Sequence, residues 1–195
     1  PCAGPGSGRG RGANIPFGSY QLLGNLRLKF TAADAPFTDY RRELDLDSAT
    51  ARLTYTQNGI RFTREGFVSA PDEVFVLRLT ADHPGSLSFD VGLDRPERAT
   101  VAAVGASDLI MEGALADGRG GDNVRFAARV RVVSRGGTQE VAGALLQVRG
   151  ADEVIIFLSA ATDIGNRSFA GRKVRNAGEA AKTDLAAAAR KEFEQ

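Results

Sequence analysis

One cysteine, one histidine, one methionine and no tryptophan occur among 195 residues. Each shortage closes off a class of chemistry. With Cys2 the only cysteine, no disulfide forms within the chain and a thiolate metal cluster is excluded. With His83 the only histidine, any Ser-His-Asp or Cys-His nucleophile would have to use it. His83 stands in Ala81-Asp82-His83-Pro84-Gly85, which is turn chemistry between two strands, so a solvent-facing turn residue is expected. Charge of one sign is also lacking: 25 Lys and Arg against 24 Asp and Glu leave a formal +1. No global field draws in nucleic acid or an anionic membrane. No apolar run approaches the roughly 20 residues that span a bilayer; the longest is Val154 to Leu158.

What is present is globular. The apolar fraction is 43% and the charged fraction 25%, and the length suits one domain with a substantial core. Residues 1–16 are rich in Gly and Arg and are expected as a loop. Gly8-Arg9-Gly10-Arg11-Gly12 has two arginines without interleaved aromatics, too little for a nucleic-acid signal.

From residue 17 to 175 the pattern is that of strands. Leu26, Leu28 and Phe30 alternate with Arg27 and Lys29, as in a half-buried strand. Leu44 and Leu46 alternate with Glu43, Asp45 and Asp47, and Leu53 and Tyr55 with Arg52, Thr54 and Thr56. Asn58-Gly59 then precedes Ile60 and Phe62; this pair between alternating runs is a strong hairpin signal. Gly66 interrupts the return strand and suggests a bulge. Glu73 to Thr80 is a continuous apolar run fit for a central strand. Leu87 to Leu93 and Leu109 to Leu115 follow. Val124, Phe126, Ala128, Val130 and Val132 give a clean period of two. Thr138 to Arg149 and Glu153 to Ala160 complete the set. Many strands without intervening helices predict an all-β fold, a two-sheet antiparallel super-β-sandwich.

The pattern changes near Asn176. Gly178 to Glu194 is rich in Ala, Glu, Lys and Leu, good helix formers. Residues 176–195 are expected to begin a C-terminal linker helix. Leu185 and Phe193 share a face with Ala181 and Ala189, a face suited to docking on a further domain.

No catalytic constellation emerges. Glu43, Asp45 and Asp47 could form a cation site or a glycosidic carboxylate pair. Same-face neighbours on one strand point in parallel, whereas glycosidases set two carboxyls on opposite sides of the scissile bond. They are expected on the solvent face of an outer strand, opposite Leu44 and Leu46. Arg125, Arg129 and Arg131 are expected to face outward as a solvated, paired surface. Asp117-Gly118 and Gly120-Gly121-Asp122-Asn123 resemble a calcium loop only loosely, without the terminal Glu; a polar hairpin loop is expected. Sugar binding usually stacks an aromatic face on the ring. The chain offers only Tyr20, Tyr40 and Tyr55 among residues of that kind with a polar tip. Tyr55 is patterned inward, which leaves Tyr20 and disfavours an autonomous carbohydrate-binding module. No catalytic residue, metal ligand or cofactor is assigned, and the substrate-binding residues are unknown.

Several stretches together resemble the N-terminal domain of the α-L-fucosidases of glycoside hydrolase family 95. Phe17 to Leu28 looks like that family's Y-Q-x-L-G-D-L segment. Tyr40 to Ala51 is similar to its Y-x-R-x-L-D-L-x-x-A segment. Tyr55 to Arg64 with Asn58-Gly59, Phe67 to Asp72, and Val76-Leu77-Arg78-Leu79 follow in the same order. Ala180 to Leu185 resembles the helical linker after that domain. The resemblance implies a non-catalytic β-sandwich followed in the parent chain by an (α/α)6 barrel, which holds the acid and base for inverting hydrolysis of terminal α-L-fucosyl linkages in glycans. It also implies a secreted, periplasmic or cell-envelope location. The family's opening L-P-x-G-N-G-x-L-G stretch has no counterpart here. The alternative is a stand-alone β-sandwich binding or cell-envelope module without enzymatic activity.

Overall fold

The computed structural model describes residues 22–31, 34–116, 122–164 and 175–191. In chain order the strands are β1 (Asn25–Phe30), β2 (Phe37–Asp45), β3 (Thr50–Gln57), β4 (Ile60–Ser69), β5 (Val74–Ala81) and β6 (Leu87–Asp94). They continue with β7 (Ala99–Val104), β8 (Asp108–Ala116), β9 (Asp122–Arg135), β10 (Thr138–Ala142), β11 (Leu145–Ala151) and β12 (Glu153–Thr162). One helix, α1 (Ala177–Ala188), follows. The strands form two antiparallel sheets, a smaller one ordered β1-β6-β11-β10 and a larger one ordered β2-β3-β4-β5-β12-β9-β8-β7.

The core lies between the sheets. Phe89, Val91, Leu146 and Val148 of the smaller sheet meet Leu79, Leu109, Val130, Val132, Val154 and Ile156 of the larger, all fully or nearly fully buried. The period of two in β9 places Phe126, Ala128, Val130 and Val132 inward, with Val124 half-buried at the strand's start. Strand β5 is central, between β4 and β12, as its continuous apolar run predicts.

The Asn58-Gly59 turn forms as expected. Both residues take positive φ, 52° and 77°, and Gln57 pairs with Ile60, which is the geometry of a two-residue hairpin. Gly66 does not mark a bulge: it pairs in register with Ala51 on one side and Leu77 on the other. A Cβ there would stand 3.3 Å from the Phe75 ring, so the glycine makes room for an aromatic on the next strand. Register instead shifts in β2, between Thr38 and Arg41, where Asp39 takes a φ of 53°, and also between Val148 and Ala151 in β11 and between Ala114 and Ala116 in β8. The run Thr138 to Arg149 is two strands, divided at Gly143 with φ 63°.

One expectation fails because the two sheets differ in size. The larger sheet overhangs the smaller on the β2 side. Strand β2 is therefore exposed on both faces. Leu44 and Leu46 do not reach a core; they are 65% and 82% exposed. The outer face of the larger sheet, in turn, is not simply solvated. A ladder of alternating charge crosses it, Arg52 to Glu65 (2.5 Å), Glu65 to Arg78 (3.8 Å), Arg78 to Glu153 (2.5 Å) and Glu153 to Arg135 (3.9 Å). Helix α1 covers another part of it, over β5, β9 and β12.

The helix is bound to its own sandwich. Ala177 and Ala181 pack on Ala127 and Ala161, and Leu185 and Ala188 on Val74, Val76 and Phe157. The face expected to await another domain is thus already occupied. Phe193 lies outside the described residues. So do residues 1–16, Tyr20 and residues 117–121.

Candidate functional site at the start of the helix

A cleft of about 940 Å³ opens where α1 begins. Its walls come from four elements. Ala99 and Thr100 of β7, Glu112 to Ala114 of β8, Arg125 and Phe126 of β9, and the first turn of α1 surround it, with Arg98, Asp163 and Arg175 at the rim. Period-two strand geometry puts Glu112 and Arg125 on the outward face, and both are exposed.

Most polar groups here are committed to holding backbone in place. Arg98 donates to the Ala114 carbonyl at 2.9 Å and pairs with Asp122. Asp163 accepts from the Arg125 amide at 3.2 Å, and Arg175 donates to the Thr162 carbonyl at 2.9 Å. Asn176 caps the helix by accepting from the Glu179 amide at 3.0 Å, satisfying one of the donors that a helix start leaves open. A Glu112 carboxylate oxygen lies 2.5 Å from where a Cβ on Gly178 would stand, so a negative charge sits against the helix start, the favourable end of its dipole. Beneath them the Arg95 guanidinium lies over the Phe126 ring at 4.8 Å and reaches the Leu23 carbonyl at 3.1 Å. Hydrogen bonds thus brace the cleft from several sides.

At its far end α1 is clamped again. Lys191 pairs with Asp72 at 2.5 Å, and Asp72 also accepts from the Ser69 hydroxyl at 2.7 Å. The bond from Lys191, then that from Ser69, lowers the Asp72 carboxyl below its ordinary range. Asp184, on the helix between these clamps, is shifted the other way. Burial raises its carboxyl first, the Glu73 carboxylate raises it further, and Arg175 offsets part of this. A raised folded-state pKa means that folding disfavours the ionised form. The penalty is full above the folded pKa and vanishes as pH falls through it toward the unfolded value. Asp184→Asn is therefore expected to stabilise the domain at neutral pH by about a few tenths of a kcal/mol after solvent screening. Thermal unfolding at neutral and acid pH checks this: the gain should be absent in acid.

The remaining candidates are dispersed. His83 is exposed in its turn, with Nδ1 2.8 Å from Asp82, which also accepts from the Arg61 amide at 2.9 Å. The His83 bond and then the Arg61 amide lower the Asp82 carboxyl. Glu43 pairs with its neighbour Arg41, while Asp45 accepts from the amides of Asp47 at 2.9 Å and Ser48 at 3.4 Å. Those two amides lower the Asp45 carboxyl; it closes a turn. Arg125, Arg129 and Arg131 do point away from the sandwich core, but Arg129 is not solvated. It is 8% exposed and bonded to Asp108, itself 2% exposed. Asp108 is the partner that strand periodicity leaves unseen, because it opens β8 at the register position opposite Arg131. Tyr55 points inward and stacks on Phe62 at 5.1 Å, whereas Tyr40 is exposed. Asp122 begins β9 and pairs with Arg98. Among the described residues no three His, Cys, Asp or Glu side chains group as a metal site, and no helix is long and apolar enough to cross a membrane.

The described residues thus form two packed sheets with a helix docked on the larger one. Residues 5–167 match the family described as glycosyl hydrolase family 65, N-terminal domain, and the chain belongs to it. In sequence it is related to α-fucosidases: it is 31% identical over 177 residues to alpha-L-fucosidase 2 of Arabidopsis thaliana, covering 76% of this chain and 20% of that protein. It is also 39% identical over 66 residues to a probable alpha-fucosidase A of Aspergillus niger, covering 34% of this chain and 8% of that protein. The chain thus spans about a fifth of the length of the Arabidopsis relative. A solved structure described as "Putative kojibiose phosphorylase from human microbiome" shares the fold at a TM-score of 0.55 and 14% identity, over 86% of this chain and 25% of that one.

Proposed function

We propose that this chain is the non-catalytic N-terminal structural domain of a longer α-L-fucosidase-like hydrolase. Residues 17–175 are its sandwich and residues 176–195 begin the connection to an (α/α)6 catalytic barrel in the same parent chain. The parent reaction is inverting hydrolysis of terminal α-L-fucosyl linkages in glycans. The relation to an α-L-fucosidase over 76% of the chain carries this reading. The site chemistry supports it. An inverting glycosidase needs a general acid and a general base about 6.5–9.5 Å apart across the bond, and the carboxylates assigned above hold arginines, amides and a helix start instead. The domain's contribution is mechanical. With α1 capped at Asn176 and clamped at Lys191, the chain leaves the sandwich along a fixed direction, so a following domain starts from a rigid base.

The purified 195-residue chain is expected to give no turnover of an aryl α-L-fucoside or a 2′-fucosylated oligosaccharide. The polypeptide encoded by the complete reading frame is expected to cleave at least one of them. Turnover by the short chain that a single Asp or Glu substitution abolishes would refute the assignment.

A further inference from the structure

Asn58 and Gly59 form the tip of the β3–β4 hairpin, and both are exposed. The ladder at this end runs through the paired Gln57 and Ile60, which leaves the Gly59 amide outside it. A Cβ built on Gly59 would meet nothing within 4 Å. The Gly59 nitrogen is thus screened neither by a side chain of its own nor by a neighbouring element. Two other asparagines are held. Asn25 donates through Nδ2 to Asp94 at 2.6 Å, and Asn176 accepts from the Glu179 amide at 3.0 Å. They are followed by Leu26 and Ala177, whose side chains crowd the backbone nitrogen. The Asn58 side chain makes no hydrogen bond among the described residues.

We infer that Asn58-Gly59 is a site of spontaneous deamidation in the folded domain. The Gly59 nitrogen gives up its proton to solvent base and attacks Asn58 Cγ. The new N–Cγ bond closes a five-membered succinimide as the Cγ–Nδ2 bond breaks, and Nδ2 takes a proton from water and leaves as ammonia. Water then opens the ring at one of its two carbonyls. Opening at Cγ gives Asp. Opening at the main-chain carbonyl gives isoaspartate, in which the backbone runs through Cβ and Cγ. The net change is one water consumed and one ammonia released, with no oxidation.

The two products act differently on the hairpin. Each adds a carboxylate and takes the chain's formal +1 to zero. Asp tolerates the left-handed conformation that Asn58 holds at a φ of 52°, so its turn survives. Isoaspartate lengthens a two-residue loop by one backbone carbon, and the turn that matches the strand twist is lost. The strain falls on neighbours that the tip positions: Gln57, which donates to the Ala35 carbonyl at 2.6 Å, and Arg61, whose amide donates to Asp82 at 2.9 Å. Deamidation therefore loosens the outer end of the β3–β4 hairpin and leaves the core between the sheets in place.

The test is incubation of the purified 195-residue chain at mildly alkaline pH, followed by trypsin and mass spectrometry. Cleavage after Arg52 and Arg61 isolates Asn58 in one peptide. That peptide is expected to resolve into Asn, Asp and isoaspartate forms, with isoaspartate in excess and confirmed by labelling with an isoaspartyl methyltransferase. Peptides containing Asn25 and Asn176 should stay unconverted over the same period. Gly59→Ala is expected to slow conversion at least about tenfold. In hydrogen exchange, the isoaspartate form should open its hairpin-end amides at least about tenfold faster than the unreacted chain, whereas Asn58→Asp, which carries the charge without the extra carbon, should not. An unconverted Asn58, conversion confined to urea-unfolded chain, or equal conversion at Asn25 and Asn176 would each overturn the site. Unchanged exchange in the isoaspartate form would overturn its effect on the hairpin.

Discussion

Asp108→Ala is expected to destabilise the domain by about 3–5 kcal/mol, the usual cost of leaving a buried charge without its partner. Asp108 accepts from Arg129 Nε at 2.9 Å and from Arg131 at 2.7 and 2.9 Å. The Asp108 and Arg129 side chains are only 3% and 9% exposed. Arginine does not shed its proton to escape burial, so the variant would strand a cation under the helix side of the sheet. The control is Asp94→Ala, which breaks a 3.0 Å pair with Arg27 whose side chains are 48% and 65% exposed. That loss should be far smaller, since water screens an exposed ion pair. Urea unfolding of both variants decides the matter; comparable losses would mean that burial of the Asp108 cluster contributes nothing.

The same cluster sets an acid limit. Burial alone would raise the Asp108 carboxyl, but the hydrogen bonds from Arg131 and Arg129 outweigh it and hold the group below its ordinary range. A depressed folded-state pKa stabilises fully above the unfolded value, about 3.9, and that stability is lost as pH falls through the folded value. The gap between wild type and Asp108→Asn should therefore be widest near neutrality and close on the acid side of pH ~3.9.

The sequence showed more of the strands than of their surroundings. Period two in β9 and the Asn58-Gly59 turn are local signals, and local geometry obeys them. Sheet extent is not local. Leu44 alternates with charge as a buried residue would, yet among the described residues no strand of the smaller sheet buries it. Gly66 shows the same limit: whether a strand glycine bulges or admits a neighbour's ring depends on Phe75, which the sequence places on another run. The buried Arg129 pairs with Asp108 across the ladder, and that contact does not follow from spacing along β9. The cleft was invisible for a like reason. Its residues come from β7, β8, β9 and α1, and β7 is a run of Ala, Thr and Val too small-sided to announce a strand.

Leu185→Ala should separate a docked helix from a merely adjacent one. The buried positions of α1 are Ala177, Gly178, Ala181, Leu185 and Ala188, a single face at helical spacing. Leu185 is the one large side chain on it and is fully buried against Val74, Val76 and Phe157. Its truncation is expected to cost about 2–5 kcal/mol, transfer and cavity terms together. The twelve residues of α1 are at the margin of what holds a helix in water without support. Amides of the helix should therefore open at much lower free energy, and those of β9 and β12 should lose no more than the free energy with which the helix is docked. Thr183→Ala, on the exposed side, removes only a 2.9 Å bond to the Glu179 carbonyl and should change stability by less than about 1 kcal/mol. Native-state hydrogen exchange distinguishes the outcomes. Helix amides as protected in Leu185→Ala as in the wild type would show that the caps at Asn176 and Lys191 suffice, and that the apolar face contributes little to fixing the direction in which the chain leaves the sandwich.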